Sequence, residues 1–228
     1  MELLSIKDIL KRNPVLASFF KAKGVDYSNG GEASLAEAMV ETGQDGKAAV
    51  EEMKDYLEAG HEEGQLNRKI LAMPVTELLL HIQMNHHVKE RELLFEIDRL
   101  LNKSMLSNFD RLADELIELH KAFTQFKAEV EVHALFEDKQ IFPQIYKLVA
   151  AGGNMDGAIQ ELKRMEADHA SIGRQISAMR KAAFDFRIPP QADLTCIRTY
   201  ELMAELIDSM SVHMYIENYV LIDALKRQ

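Results

Sequence analysis

Four long stretches of this 228-residue chain carry apolar residues at helical spacing, and only a few residues separate one stretch from the next. They run over residues 75–101, 108–150, 154–186 and 192–226, with "NKSMLS", "AGGN" and "RIPPQ" as the main breaks. An apolar stripe that returns every three to four residues has to be buried against another surface. Connections this short leave consecutive helices as antiparallel neighbours. No segment alternates with the two-residue period of a strand. The expectation is an all-α protein, an up-down four-helix bundle. Pro143 falls inside the second stretch, where a missing N–H and a clashing ring predict a bend.

The front of the chain reads as a small helical domain over residues 1–65, ahead of the bundle over 66–228. Ser5 is a cap for a first short helix. Asn13 followed by Pro14 is a second helix start that Gly24 would close, "DYSNGG" is a tight turn, and Ser34 and Asp45 open two further helices. Residues 60–73 read as a polar linker.

Net charge is −10, which lacks the basic footprint of a nucleic-acid binder or a partner of anionic membranes. No apolar run has the length of a membrane span or a secretion signal, so the expected location is the cytoplasm. Cys196 is the single cysteine, which excludes an intrachain disulfide.

The chemistry lies on the inward faces. His133 precedes Glu137 by four residues and His213 precedes Glu217 by four, and positions i and i+4 differ by only about 40° around a helix. Each pair shares a face with apolar residues: Leu119, Phe126 and Val130 for the first, Leu202, Leu206, Met210 and Val220 for the second. His169 lies with Leu162, Met165, Ile172 and Ile176. A buried carboxylate or imidazole needs partners. Either these groups satisfy one another with water, or a metal holds them, since imidazoles are terminal donors and a carboxylate one turn away can bridge two ions.

The spacing by itself is weak, because a glutamate-rich chain makes such pairs by chance and His86 with Glu90 is a third. "HIQMNHH" in the first stretch leaves a further ambiguity. His86 lies among Leu79, Ile82, Leu93 and Ile97, and His87 among Thr76, Leu80, Met84 and Leu94. The helical wheel slightly prefers His86, and on a regular helix only one of the two can face the centre. His120 and His61 read as structural or solvated.

Taken in order, "HIQMNHH", "HALFEDKQIFP", "MEADH" and "HMYIENYVL" resemble the iron–sulfur cluster repair di-iron proteins, the repair of iron centres family, which has a hemerythrin-like bundle. "GVDYSNGGEASLAEA" is similar to that family's N-terminal domain. The resemblance implies His87, His133, His169 and His213 as imidazole ligands, and Glu137 and Glu217 as carboxylates bridging two iron ions in an oxo- or hydroxo-bridged centre. It thus selects His87 over His86. Glu166, three residues before His169, reads equally as a partner of that histidine or as an ordinary polar residue.

The function implied is restoration of iron–sulfur clusters damaged by nitrosative or oxidative stress, as an iron donor or as a nitric oxide-reactive centre of reductase type. The alternative is a hemerythrin-like module that binds oxygen or nitric oxide without turnover. Partners on the first reading are damaged iron–sulfur proteins or their assembly machinery and small diatomic ligands, with no nucleic acid and no membrane; a homodimer is open to such a chain. The chain departs from the family at Ser28-Asn29, where relatives commonly carry two adjacent cysteines, and in "VLIDAL", which lacks the Phe-Pro that follows the first His-x-x-x-Glu.

Overall fold

A computed structural model describes residues 4–13, 16–25, 27, 33–59 and 69–228. Among these the protein is helical, and the sole β-type contact is an isolated antiparallel bridge between Ser5 and Ser34. By contacts the chain divides into two compact units, residues 1–78 with 214–228, and residues 79–213.

The first unit holds four short helices: α1 (Ile6–Arg12), α2 (Leu16–Ala22), α3 (Leu35–Glu41) and α4 (Gly46–Ala59). The caps expected at Ser5 and Ser34 are in place. The Ser5 hydroxyl accepts from the Asp8 N–H. Ser34 and Glu37 form a reciprocal capping box, which satisfies two backbone donors that a helix start otherwise leaves without partners. Gly24 takes a left-handed φ of 70° to end α2. Ile6, Leu10, Leu16, Phe20 and Met39 are buried here. Tyr27 meets Tyr215 edge-on at 5.9 Å between ring centroids, so the end of the chain belongs to this unit's core. Pro14, the turn containing Ser28 and Asn29, and His61 lie outside the described residues. The polar linker is shorter than expected, because residues 69–72 are already helical.

Four long helical rods follow. α5 spans residues 75–107, α6 residues 109–151, α7 Asp156–Ala182 and α8 residues 194–226. In the second unit α6 packs on α5 and on α7. Ser107 on α5 donates to Asp193 just before α8, at 2.7 Å, and the Ser104 and Thr199 hydroxyls, both fully buried, pair at 3.2 Å between α5 and α8. Leu79, Ile82, Ile97, Leu116, Phe123, Phe126, Leu162, Ile172, Leu206 and Met210 form its apolar interior. Each large side chain buried in this way contributes about 1.5–3 kcal/mol.

One expectation about the rods needs correction. "NKSMLS" is the last turn and a half of α5 and not a connector, because its polar groups bond locally. Asn102 donates to the Asp98 carbonyl at 2.7 Å and Asn108 to the Ser104 carbonyl at 3.0 Å. Pro143 does not interrupt α6. It lies two residues after the end of a π-helical turn, Glu137–Ile141, as the second residue of Phe142–Ala151, where no α-type bond requires its N–H. Besides that π-helical turn, α6 has non-helical backbone at Leu112, with φ −136° and ψ 22°.

At the end of α6, Gly152 takes φ 60°, ψ 34°, and its N–H and that of Gly153 close on the last carbonyls. A methyl group at Gly152 would meet nothing within 4 Å. Gly152→Ala is therefore expected to cost only the backbone penalty, about 1 kcal/mol, read as a lower urea midpoint with unchanged helicity.

Candidate metal centre

Three of the rods widen by one π-helical turn: Gln83–His87 in α5, Glu137–Ile141 in α6 and Ile216–Leu221 in α8. The Val88 N–H bonds back to the Gln83 carbonyl and the Phe142 N–H to the Glu137 carbonyl, five residues each, in place of four. Such turns frequently sit at functional sites. In α5 the wider turn brings both neighbours inward, leaving His86 only 7% and His87 1% exposed. The choice between them, forced on a regular helix, does not arise.

The two rings have different surroundings. His87 points its Nε2 at the Nε2 of His213, 3.1 Å away, and stacks on Phe142 at 5.6 Å. His86 instead stacks on His213, with ring centroids 5.3 Å apart and planes 24° from parallel. On the opposite rods the Nε2 atoms of His133 and His169 meet at 3.0 Å. Between the two imidazole pairs lies Glu137, fully buried, with Oε2 at 3.2 Å from His87 Nε2 and 3.5 Å from His133 Nε2. Donor atoms of His87, Glu137 and His213 fall within 4.8 Å of one another, as do those of His133, Glu137 and His169. Glu137 is thus common to both groups.

Glu217, the remaining expected ligand, lies one helical turn beyond His213 on α8 and is 2% exposed. Glu166 is half-buried and outside both groups, and His120 is half-buried on α6.

Two carboxylates that the sequence did not single out as part of the site touch its imidazoles. Asp138 Oδ1 accepts from His87 Nδ1 at 2.9 Å and from Gln83 Nε2 at 3.0 Å, with Arg91 Nη1 at 3.5 Å from its other oxygen. Glu90 Oε2 accepts from His213 Nδ1 at 2.9 Å, and its Oε1 accepts from the Ser209 hydroxyl at 2.9 Å. Burial pushes the Glu90 carboxyl up, but the facing His213 and His86 imidazoles more than offset this and hold it below the ordinary range. Burial likewise raises Asp138, and the bonds from Gln83 and His87 with the nearby Arg91 bring it down. The signal that could have found Asp138 is its place beside Glu137.

These residues fit a cation. Both Glu137 oxygens are buried and accept no hydrogen bond, a costly arrangement for an anion. Each Nε2–Nε2 contact opposes two lone pairs unless a proton lies between them. Neutral imidazoles and a carboxylate with converging lone pairs are the donor set that zinc, iron and manganese accept.

It follows that Glu137 is stabilising only when a cation is bound. Glu137→Leu is expected to raise the thermal midpoint of the metal-free protein, since replacing an uncompensated buried charge by an apolar side chain of similar size removes the desolvation penalty. It should also abolish the further rise on adding metal. Differential scanning calorimetry with and without metal checks both signs.

This chain is 25% identical over 216 residues to the iron-sulfur cluster repair protein ScdA of Staphylococcus haemolyticus, covering 95% of each chain. It is 25% identical over 208 residues to the iron-sulfur cluster repair protein YtfE of Citrobacter koseri, and 26% identical over 208 residues to that of Escherichia coli O157:H7, each time covering 91% of this chain and 90% of the relative. The model of the hemerythrin HHE cation binding domain matches residues 78–225, most of the chain and nearly all of the four rods. The protein therefore belongs to the hemerythrin HHE cation-binding domain family.

Proposed function

We propose that this protein holds two iron ions and takes part in restoring iron–sulfur clusters damaged by nitric oxide or oxidants. The observation that carries the reading is Glu137, a buried carboxylate shared by two groups of imidazoles and accepting no hydrogen bond. Relatives named as iron–sulfur cluster repair proteins along almost the whole chain supply the biological context. His87 and His213 would hold one ion, His133 and His169 the other, and Glu137 would bridge them. Glu217, at the same i+4 spacing from His213 that Glu137 has from His133, is proposed as the second bridge.

Bound iron would supply a Lewis-acidic, redox-active centre with room for a diatomic ligand. The chain's own groups do the rest. Phe142 stacks on His87 and the surrounding apolar residues limit water access. The carboxylates neutralise cationic charge in a medium where water cannot.

Thiols take no part in metal handling on this reading. Cys196 is fully buried, and burial together with the Asp193 carboxylate pushes its thiol up to about 11, so it stays protonated and inert. Iron would be held and released through imidazole and carboxylate alone. Partners on this reading are damaged iron–sulfur proteins or their assembly machinery, in the cytoplasm. Among the described residues no helix is long and apolar enough to cross a membrane.

Full-length protein purified without oxygen from iron-replete cells is expected to contain two iron atoms per chain and to absorb in the near ultraviolet when oxidised. It should also restore activity to an iron–sulfur enzyme inactivated by nitric oxide. Folded protein with only trace metal would defeat the metal reading. Metal-replete protein that binds nitric oxide yet restores nothing would favour a sensing module.

His87→Ala should lose one iron per chain and fail in the repair assay. His86→Ala should keep both, although its lost packing lowers the thermal midpoint by a few degrees. The domain boundary near residue 65 is part of the same proposal. A chain starting at Leu66 removes Tyr27 from Tyr215 and is expected to melt earlier while keeping its metal stoichiometry.

A further inference from the structure

The two carboxylates found beside the centre are arranged as braces, each reaching from one rod to an imidazole on another. α5 carries His87 and, three residues on, Glu90, whose Oε2 accepts from His213 Nδ1 on α8 at 2.9 Å. α6 carries Glu137 and, at the next position, Asp138, whose Oδ1 accepts from His87 Nδ1 on α5 at 2.9 Å. Each imidazole is thereby fixed with its Nδ1 proton outward and its Nε2 lone pair inward.

Both braces are themselves held. Glu90 is 1% exposed and takes the Ser209 hydroxyl on its other oxygen. Asp138 takes Gln83. A buried carboxylate against a ligand's second nitrogen sets that ring's tautomer and orientation, and it raises the ring's basicity toward a cation.

We propose that Glu90 and Asp138 are positioning residues that set the cation affinity of the half of the centre held by His213 and His87. Neither would touch the ion. Each acts through the imidazole that it binds, and the two act on the same half. Their negative charge is part of the effect, so a neutral amide of the same shape does not replace them. This inference rests on the two-ion reading above.

The experiment is an anaerobic Co2+ titration of the full-length chain, following metal affinity by competition with a chelator and the paramagnetically shifted exchangeable imidazole N–H resonances. Glu90→Gln and Asp138→Asn are the test variants. Glu205→Gln is the control, because Glu205 also joins α5 to α8, through Lys89 at 3.0 Å, but at the surface.

Wild type and the control are expected to bind two Co2+ per chain. Each test variant should weaken one of the two binding steps by about 10–100-fold and leave the other near wild type. The N–H resonance of the affected imidazole should shift while the remaining ones stay in place. Each residue is judged on its own variant. Two Co2+ bound at wild-type affinity with unmoved N–H signals would overturn its role. Equal weakening of both steps together with lost helicity would overturn it too, as the mark of a merely structural contact. A wild-type chain that binds no Co2+ would instead bring down the metal centre itself.

Discussion

Five polar side chains capable of binding a cation, His87, His133, Glu137, His169 and His213, are removed from water in the second unit. Their lone pairs point toward one another. In a bundle whose interior is mostly leucine, isoleucine, phenylalanine and methionine, hydrophobic packing does not explain that arrangement. Burying an anion without a compensating charge costs several kcal/mol, against a total stability for a domain of about 5–15 kcal/mol. The rest of the unit can be understood as the scaffold that makes this tolerable. The rods are long, their outer ends are closed by local hydrogen bonds such as that of Asn108 to Ser104, and the aromatic pair Phe123 and Phe126 is fully buried on the rod that carries Glu137.

The rods and most of the short helices were legible in the sequence because both signals are local. Apolar spacing repeats within one turn, and the caps at Ser5 and Ser34 act across three residues. The same locality made His133, His169 and His213 stand out, each an imidazole on an apolar face. The two adjacent histidines were a different matter. A wheel assumes about 3.6 residues per turn, and the turn from Gln83 to His87 does not have that pitch, so a wheel that admits only one inward histidine there does not describe the two that are buried. The family resemblance selected His87 without needing the pitch, because it compares order and identity and not angle.

Glu90 and Asp138 were out of reach for another reason. Their contacts with the imidazoles join residues 123 and 51 positions apart, and no periodicity within a helix encodes which neighbouring rod a side chain will meet. Glu90 had been noticed only for its spacing from His86, yet its hydrogen bond goes to His213, and His86 Nδ1 stands 3.7 Å from it. The polar end of α5 failed in the same way. Its asparagines bond within the helix, but its serines look like loop residues until Thr199 and Asp193 are known to be opposite them.

The π turns also bear on how such a bundle can diverge. Each holds one residue more than an α-helical turn would need between the same flanking segments, so deleting one residue there would return the rod to regular pitch without disturbing the apolar register on either side. Between Gln83 and His87 such a loss would leave only one of the two imidazoles facing inward, with Leu79, Ile82, Leu94 and Ile97 packed as before. A single codon thus separates this arrangement from a well-folded descendant with one inward imidazole fewer on α5. The fold would survive that change unaltered, and similarity along the chain would hardly register it.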